Sequence, residues 1–215
     1  MATLTIDTLE GAHRFTAYRA DPTGTPRAAV IVIQEIFGVN PGIRAKCDRL
    51  AEQGYLAIAP DLFWRIEPGI DLNPDVPGEM ERALNLMGHF DQATAITDIE
   101  ATIRAARALV AGGKVGAIGF CLGGRLAYMT AARTDIDASV GYYAVGIDGL
   151  LDEKHAIARP LMLHIAGADH FVSAEVQAAM HAGLDDHPKV TLHDYPGEDH
   201  GFATELGERL SLIHI

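Results

Sequence analysis

The stretch Gly119-Phe120-Cys121-Leu122-Gly123-Gly124 holds the residue in this chain best suited to covalent chemistry, a cysteine flanked at two residues on each side by glycine. A short apolar run, Lys114 to Ile118, precedes it, and a helix-like stretch from Arg125 to Ala132 follows. Strand, sharp turn and helix around G-x-C-x-G is the context that presents a nucleophile at a strand end. Such a turn strains its central residue and closes only if the neighbours carry almost no side chain, which Gly119 and Gly123 satisfy. The Cys121 sulfur would then lie over a helix amino terminus, whose partial positive charge favours thiolate. Without partners, the same pattern describes a buried structural cysteine.

A thiol nucleophile needs a base, and the base needs an orienting group. Two later loops supply them. Gly167-Ala168-Asp169-His170 follows the apolar run Leu161 to Ala166, and Pro196 to Phe202, with His200 inside it, follows Val190 to Tyr195. In open parallel sheets functional residues gather beyond the carboxyl ends of strands, so the three loops are expected to converge. Ten histidines compete for the role of base. His164 sits within an apolar strand, His181 on a helix and His170 beside Asp169, whereas His200 lies in D-H-G-F directly after the last strand. The order nucleophile, acid, histidine is that of α/β-hydrolases.

The elements that must position these residues are legible around them. Thr3 to Leu9 and His13 to Arg19 alternate as two short strands, and Ala28 to Ile33 is an unbroken apolar run fit for a strand buried on both faces. Asn40 and Pro41 cap and open a helix that carries Ile43, Cys47 and Leu50 on one face and ends at Gly54. Tyr55 to Ala59 is the next strand, and Leu62 to Pro77 is an irregular segment expected to form a loop over the site. Helices are predicted over 79–89 and 93–110, a strand over 138–143, and a helix over 174–184. Alternating strand and helix predicts an α/β fold with a mostly parallel sheet, helices on both faces and antiparallel N-terminal strands.

Composition limits the partners. A net charge of −12 argues against nucleic acid or an anionic membrane, both of which need a basic face. No apolar run reaches the roughly 18 residues a membrane helix requires, and the amino terminus lacks a basic region followed by an apolar segment. Two cysteines, Cys47 and Cys121, are too few for a disulfide framework, so a reducing cytoplasm is expected. Candidate metal ligands occur singly, so neither a metal nor an organic cofactor is expected. The chain divides into one domain, 1–209, and a tail, 210–215, which looks like a translated adapter rather than a native terminus.

The chain resembles the dienelactone hydrolases, the carboxymethylenebutenolidase-like branch of the α/β-hydrolases. The resemblance rests on Q-E-I-F-G-V-N at 34–40, Q-G-Y and A-P-D-L-F ending at Phe63, and G-F-C-L-G-G at 119–124. V-G-Y-Y-A-V-G at 140–146, G-A-D-H-F-V at 167–172 and D-H-G-F at 199–202 complete it. It implies Cys121 as nucleophile, Asp169 as acid and His200 as base. It also implies that Glu35 hydrogen-bonds the resting thiol and that the Ile36 and Leu122 amides form the oxyanion hole, with Tyr143 lining the pocket. The implied reaction is hydrolysis of an ester or lactone through an acyl-thioester, in aromatic compound degradation, by a monomer or weak homodimer. Two carboxylate-binding arginines of the family are missing: Thr204 stands at one position, and near Met80 and Glu81 only Arg82 is close, out of register, as the candidate for substrate binding if it reaches the site and a solvated helix residue if it does not. Leu84 and Met87 replace an aromatic pair. The family's final helix is also expected to be absent. A general carboxylesterase or thioesterase on the same triad, or a binding scaffold without turnover, are the alternatives. Redox work by Cys121 would want a C-x-x-C partner, which is lacking.

Overall fold

The computed structural model describes residues 2–205, so the tail expected at 210–215 and the end of the expected domain lie outside the described residues. Eight strands form one sheet in the order β1-β2-β4-β3-β5-β6-β7-β8. They are β1 (Ala2–Asp7), β2 (Arg14–Ala20), β3 (Ala29–Ile33), β4 (Leu56–Pro60), β5 (Val115–Phe120), β6 (Ala138–Tyr142), β7 (Leu161–Ala166) and β8 (Val190–Tyr195). β1 and β2 pair antiparallel with each other, as β2 does with β4, and every other pairing is parallel. The expected architecture is therefore met, and the elbow strand β5 lies at its centre between β3 and β6.

Why β3 carries no polar alternation is visible in its neighbours. Ile31 and Ile33 join the core on one face, with Ile99, Ile103 and Leu126, while Val32 joins Ile43, Cys47 and Ala57 on the other. Both faces are covered by helices, so both registers of the strand must be apolar. Cys47 is fully buried in that second core, as its helical spacing predicted.

The helices begin where their caps demand. Asn40 Oδ1 accepts from the Ile43 N–H at 3.1 Å to open α1 (Pro41–Glu52), and its Nδ2 donates to the Leu72 carbonyl at 3.2 Å. Asp91 caps α3 (Gln92–Leu109) by accepting from the Thr94 N–H at 2.9 Å. Ser173 does the same for α5 (Ala174–Leu184). Between β4 and α3 lie the irregular segment and the short helix α2 (Glu79–Gly88). Asp98, buried on α3, fastens that segment: it accepts from Trp64 Nε1 at 2.9 Å and takes Arg65 in a fork at 2.8 and 3.0 Å. A loop over the site is thus tied down by charge-assisted bonds. After α4 (Leu122–Arg133) and β6, a 3-10 helix at Asp148–Ala156 was not foreseen, because its composition shows no apolar period. Among the described residues no helix is long and apolar enough to cross a membrane.

Candidate active site

Cys121 sits between β5 and α4 with φ 54° and ψ −113°, a left-handed conformation that costs a non-glycine residue on the order of 1–3 kcal/mol. The turn is held open by its donors, with Cys121 N–H on the Tyr142 carbonyl at 3.0 Å and Arg125 N–H on the Cys121 carbonyl at 3.2 Å. The glycines are needed for space. A Cβ on Gly119 would lie 1.9 Å from the Gly123 carbonyl oxygen, and one on Gly123 would lie 2.3 Å from that of Ile33. Backbone therefore packs on backbone where the elbow meets the end of β3, and this contact brings Cys121 beside Glu35 and Ile36.

The loops after β7 and β8 deliver the acid and the histidine together. His200 Nδ1 and Asp169 Oδ2 are 2.8 Å apart, both side chains buried, and Asp169 Oδ1 accepts from the Phe171 N–H at 2.8 Å. With Nδ1–H donating to the carboxylate, Nε2 is left as the acceptor, and it has no partner among the described residues. The ring is wedged edge-on between Phe171, at 4.8 Å, and Tyr143, at 5.0 Å. Tyr143 takes a positive φ of 38° and, with Phe120, Tyr142 and Phe202, forms the aromatic layer beneath the histidine.

Glu35 departs from expectation. No hydrogen bond joins its carboxylate to the Cys121 thiol; Oε1 accepts from Tyr143 Oη at 3.2 Å and from Thr204 Oγ1 at 3.2 Å. Those donors and the nearby Lys46 charge favour the carboxylate, but burial dominates and its pKa is raised. Lys46 lies below, its ammonium 2.5 Å from the Ala203 carbonyl, 2.8 Å from Glu205 and 4.3 Å from the Phe120 ring centre. Burial lowers it to about 8. The thiol itself is pushed well up by burial and next by the Glu35 charge, with the Leu122 amide pulling the other way. The helix amino terminus thus does not by itself make a resting thiolate, because desolvation and a neighbouring carboxylate outweigh it.

Cys121 is half-buried and opens onto a cavity of about 510 Å³ with Glu35, Ile36, Leu122, His200 and Thr204 around the thiol. Leu122 is the first residue of α4, where an N–H has no helical acceptor, and the Ile36 N–H donates to nothing among the described residues. Much of the remaining lining is apolar, from Phe37, Met80, Leu84, Met87, Val145 and Phe171. Pro74 and Asp75 reach it too, so the irregular segment does border the site.

Arg82 does not reach this cavity, which corrects the expectation of a substrate contact. Met80, Leu84 and Met87 share one face of α2, and Arg82, two residues from Met80, falls about 200° round the helix. Its exposed guanidinium pairs with Glu67. Two functional candidates were not anticipated. Thr204 was seen only as a missing arginine, yet its hydroxyl shares Glu35 with Tyr143. Arg125 lines the cavity from the first turn of α4, and its position four residues after the nucleophile was the available signal. Asp169, His170 and Asp199 place one ligand atom each within 4.8 Å of one another, a grouping that sequence spacing did not suggest. Both Asp169 oxygens already accept hydrogen bonds, and His170 Nδ1 is 2.9 Å from Asp199.

The family profile described as the dienelactone hydrolase family matches residues 15–211. A relative from Azospirillum brasilense, provisionally named a carboxymethylenebutenolidase, is 48% identical over 196 residues, 90% of this chain and 84% of its own. Carboxymethylenebutenolidase 1 of Cupriavidus pinatubonensis is 39% identical over 197 residues, 91% of this chain and 84% of its own. Among solved structures, one from Klebsiella pneumoniae subsp. pneumoniae, provisionally titled a dienelactone hydrolase, superposes with a TM-score of 0.78 at 28% identity, covering 94% of this chain and 88% of its own. The chain has the α/β-hydrolase fold, belongs to the dienelactone hydrolase family, and is a hydrolase acting on esters or lactones.

Proposed function

We propose that the chain cleaves its ester or lactone with a Cys121–His200–Asp169 triad through an acyl-thioester. The observation that carries this is the 2.8 Å His200–Asp169 bond, which leaves Nε2 free on the cavity that also exposes Cys121 at a strained elbow. On substrate binding the thiol proton passes to His200 Nε2, and the sulfur attacks the carbonyl carbon. The Leu122 and Ile36 amides receive the oxyanion, while Asp169 stabilises the imidazolium. Collapse of the adduct breaks the carbon–oxygen bond, and the alkoxide takes the proton back from Nε2. His200 then deprotonates water, which attacks the thioester, and the acid leaves as the thiol is restored. Glu35 keeps the thiol protonated at rest through its charge, and Tyr143 and Thr204 hold that carboxylate in place.

Hydrolysis of a dienelactone and of a neutral activated ester of similar size, with Cys121→Ala beside the native protein, tests this reading. Turnover of either substrate that vanishes in the variant supports it. Turnover that survives the substitution removes Cys121 from the role of nucleophile.

A further inference from the structure

The helix α1 turns a cation inward. Its buried face carries Ile43, Lys46 and Cys47, and Lys46 is the one lysine or arginine that is buried among the described residues. A buried ammonium is costly unless its donors and its charge are both met. Here Nζ donates to the Ala203 carbonyl at 2.5 Å and to Glu205 Oε1 at 2.8 Å, and it lies 4.3 Å from the Phe120 ring centre.

Those partners tie Lys46 to the active site from behind. Ala203 and Glu205 flank Thr204, whose hydroxyl donates to Glu35 at 3.2 Å, and Phe120 immediately precedes Cys121. Lys46 is absent from the cavity lining, so it acts on the site without meeting substrate. Its charge is only partly answered by Glu205, because that carboxylate also pairs with Arg49. Glu35 supplies the rest. Burial raises Glu35 and lowers Lys46, and each group is the strongest influence opposing that burial in the other. At Glu35, Thr204, Tyr143 and the His200 charge add to Lys46; at Lys46, Arg49 works against Glu35. The charges that act on the Cys121 thiol are those of Glu35 and Asp169.

We propose that Lys46 is a positioning residue that acts through Glu35: its ammonium keeps the buried carboxylate charged, and that charge keeps the resting Cys121 thiol protonated. The inference rests on the reading of Glu35 given above and adds the group that maintains it. Without Lys46, burial neutralises Glu35 and the charge that lifts the thiol is lost.

Alkylation of Cys121 by iodoacetamide at pH 7 tests this with no substrate present. Lys46→Met should speed the reaction by about 2- to 5-fold, in the same direction as Glu35→Gln, and Lys46→Arg should return it towards the native rate. In a Glu35→Gln background Lys46→Met should add nothing, since the group it acts through is gone. Equal acceleration in both backgrounds would mean that Lys46 only braces the 203–205 segment, and would overturn the proposal. If Glu35→Gln speeds alkylation and Lys46→Met does not, the proposal alone falls; if Glu35→Gln has no effect, the Glu35 reading falls and takes the proposal with it. A second measurement leaves position 46 untouched. The Lys46 ammonium, followed by NMR of ¹³Cε-labelled lysine, should titrate at lower pH in Glu35→Gln than in the native protein, because coupling between two sites is reciprocal. An unmoved midpoint overturns the proposal.

Discussion

The two ends of the cavity are built on opposite terms. At the floor, Glu35 accepts from Tyr143 and Thr204, and Lys46 beneath it donates to the Ala203 carbonyl and Glu205, so these hydrogen bonds are made before substrate arrives. At the wall, apolar side chains surround Arg125, whose guanidinium donates to Gln92 and to the Gly146 carbonyl. The difference separates two tasks. A closed polar network suits holding protonation and geometry for a reaction, whereas a mostly apolar wall suits sorting what enters by shape.

Substitutions at the floor should damage the reaction more than those at the wall. Cys121→Ala is expected to lower kcat by about 10³-fold or more in steady-state ester hydrolysis. Asp169→Asn, which leaves His200 in place but disturbs its tautomer, should cost about 10²- to 10⁴-fold in kcat with little change in KM. Gly123→Ala cannot fit its Cβ beside the Ile33 carbonyl and should lower the thermal midpoint sharply, by an amount equivalent to roughly 2–4 kcal/mol. Glu35→Gln should act in the opposite sense on the thiol. Removing the charge that raises Cys121 should speed its alkylation by iodoacetamide at neutral pH by about 3- to 10-fold, with buried Cys47 unreactive as the internal control.

The smallest effect belongs to a residue outside the cavity lining. Burial, and next the charge of His193, lower His164 to about 4, and its Nδ1 lies 2.8 Å from the Tyr195 hydroxyl. Between an ordinary value near 6.5 and about 4, the unfolded chain takes up a proton at this position and the folded chain does not. Stability should therefore fall as pH drops through that window, and His164→Gln should flatten the fall in thermal midpoint between pH 7 and 5.

Much of the floor was legible because its signals are local. The spacing of Gly119, Cys121 and Gly123 specifies a turn that only those residues can close, and Asp169 and His200 follow apolar strands directly. β7, β8 and α5 were delimited to the residue by turn residues on either side. The wall was less legible, because it depends on which face of a helix meets the cavity. The period of α2 already set Arg82 opposite Met80, Leu84 and Met87, but this needs the knowledge that those three face inward. Arg125 sits among the apolar residues Leu122 and Leu126 at the start of α4, and its charge was hidden by that context. The Thr204–Glu35 bond joins distant parts of the chain, which no local pattern announces.

The most direct test of the central claim is to trap the acyl-enzyme. The protein, with its His200→Asn and Cys121→Ala variants beside it, would be quenched in acid at successive times after mixing with p-nitrophenyl valerate and digested with trypsin. The account predicts a valeryl adduct on the peptide Val115–Arg125, located at Cys121, strongly reduced in His200→Asn, which lacks the base that activates the thiol, and absent from Cys121→Ala. An adduct on another residue, or steady hydrolysis with no adduct at any quench time, would contradict it.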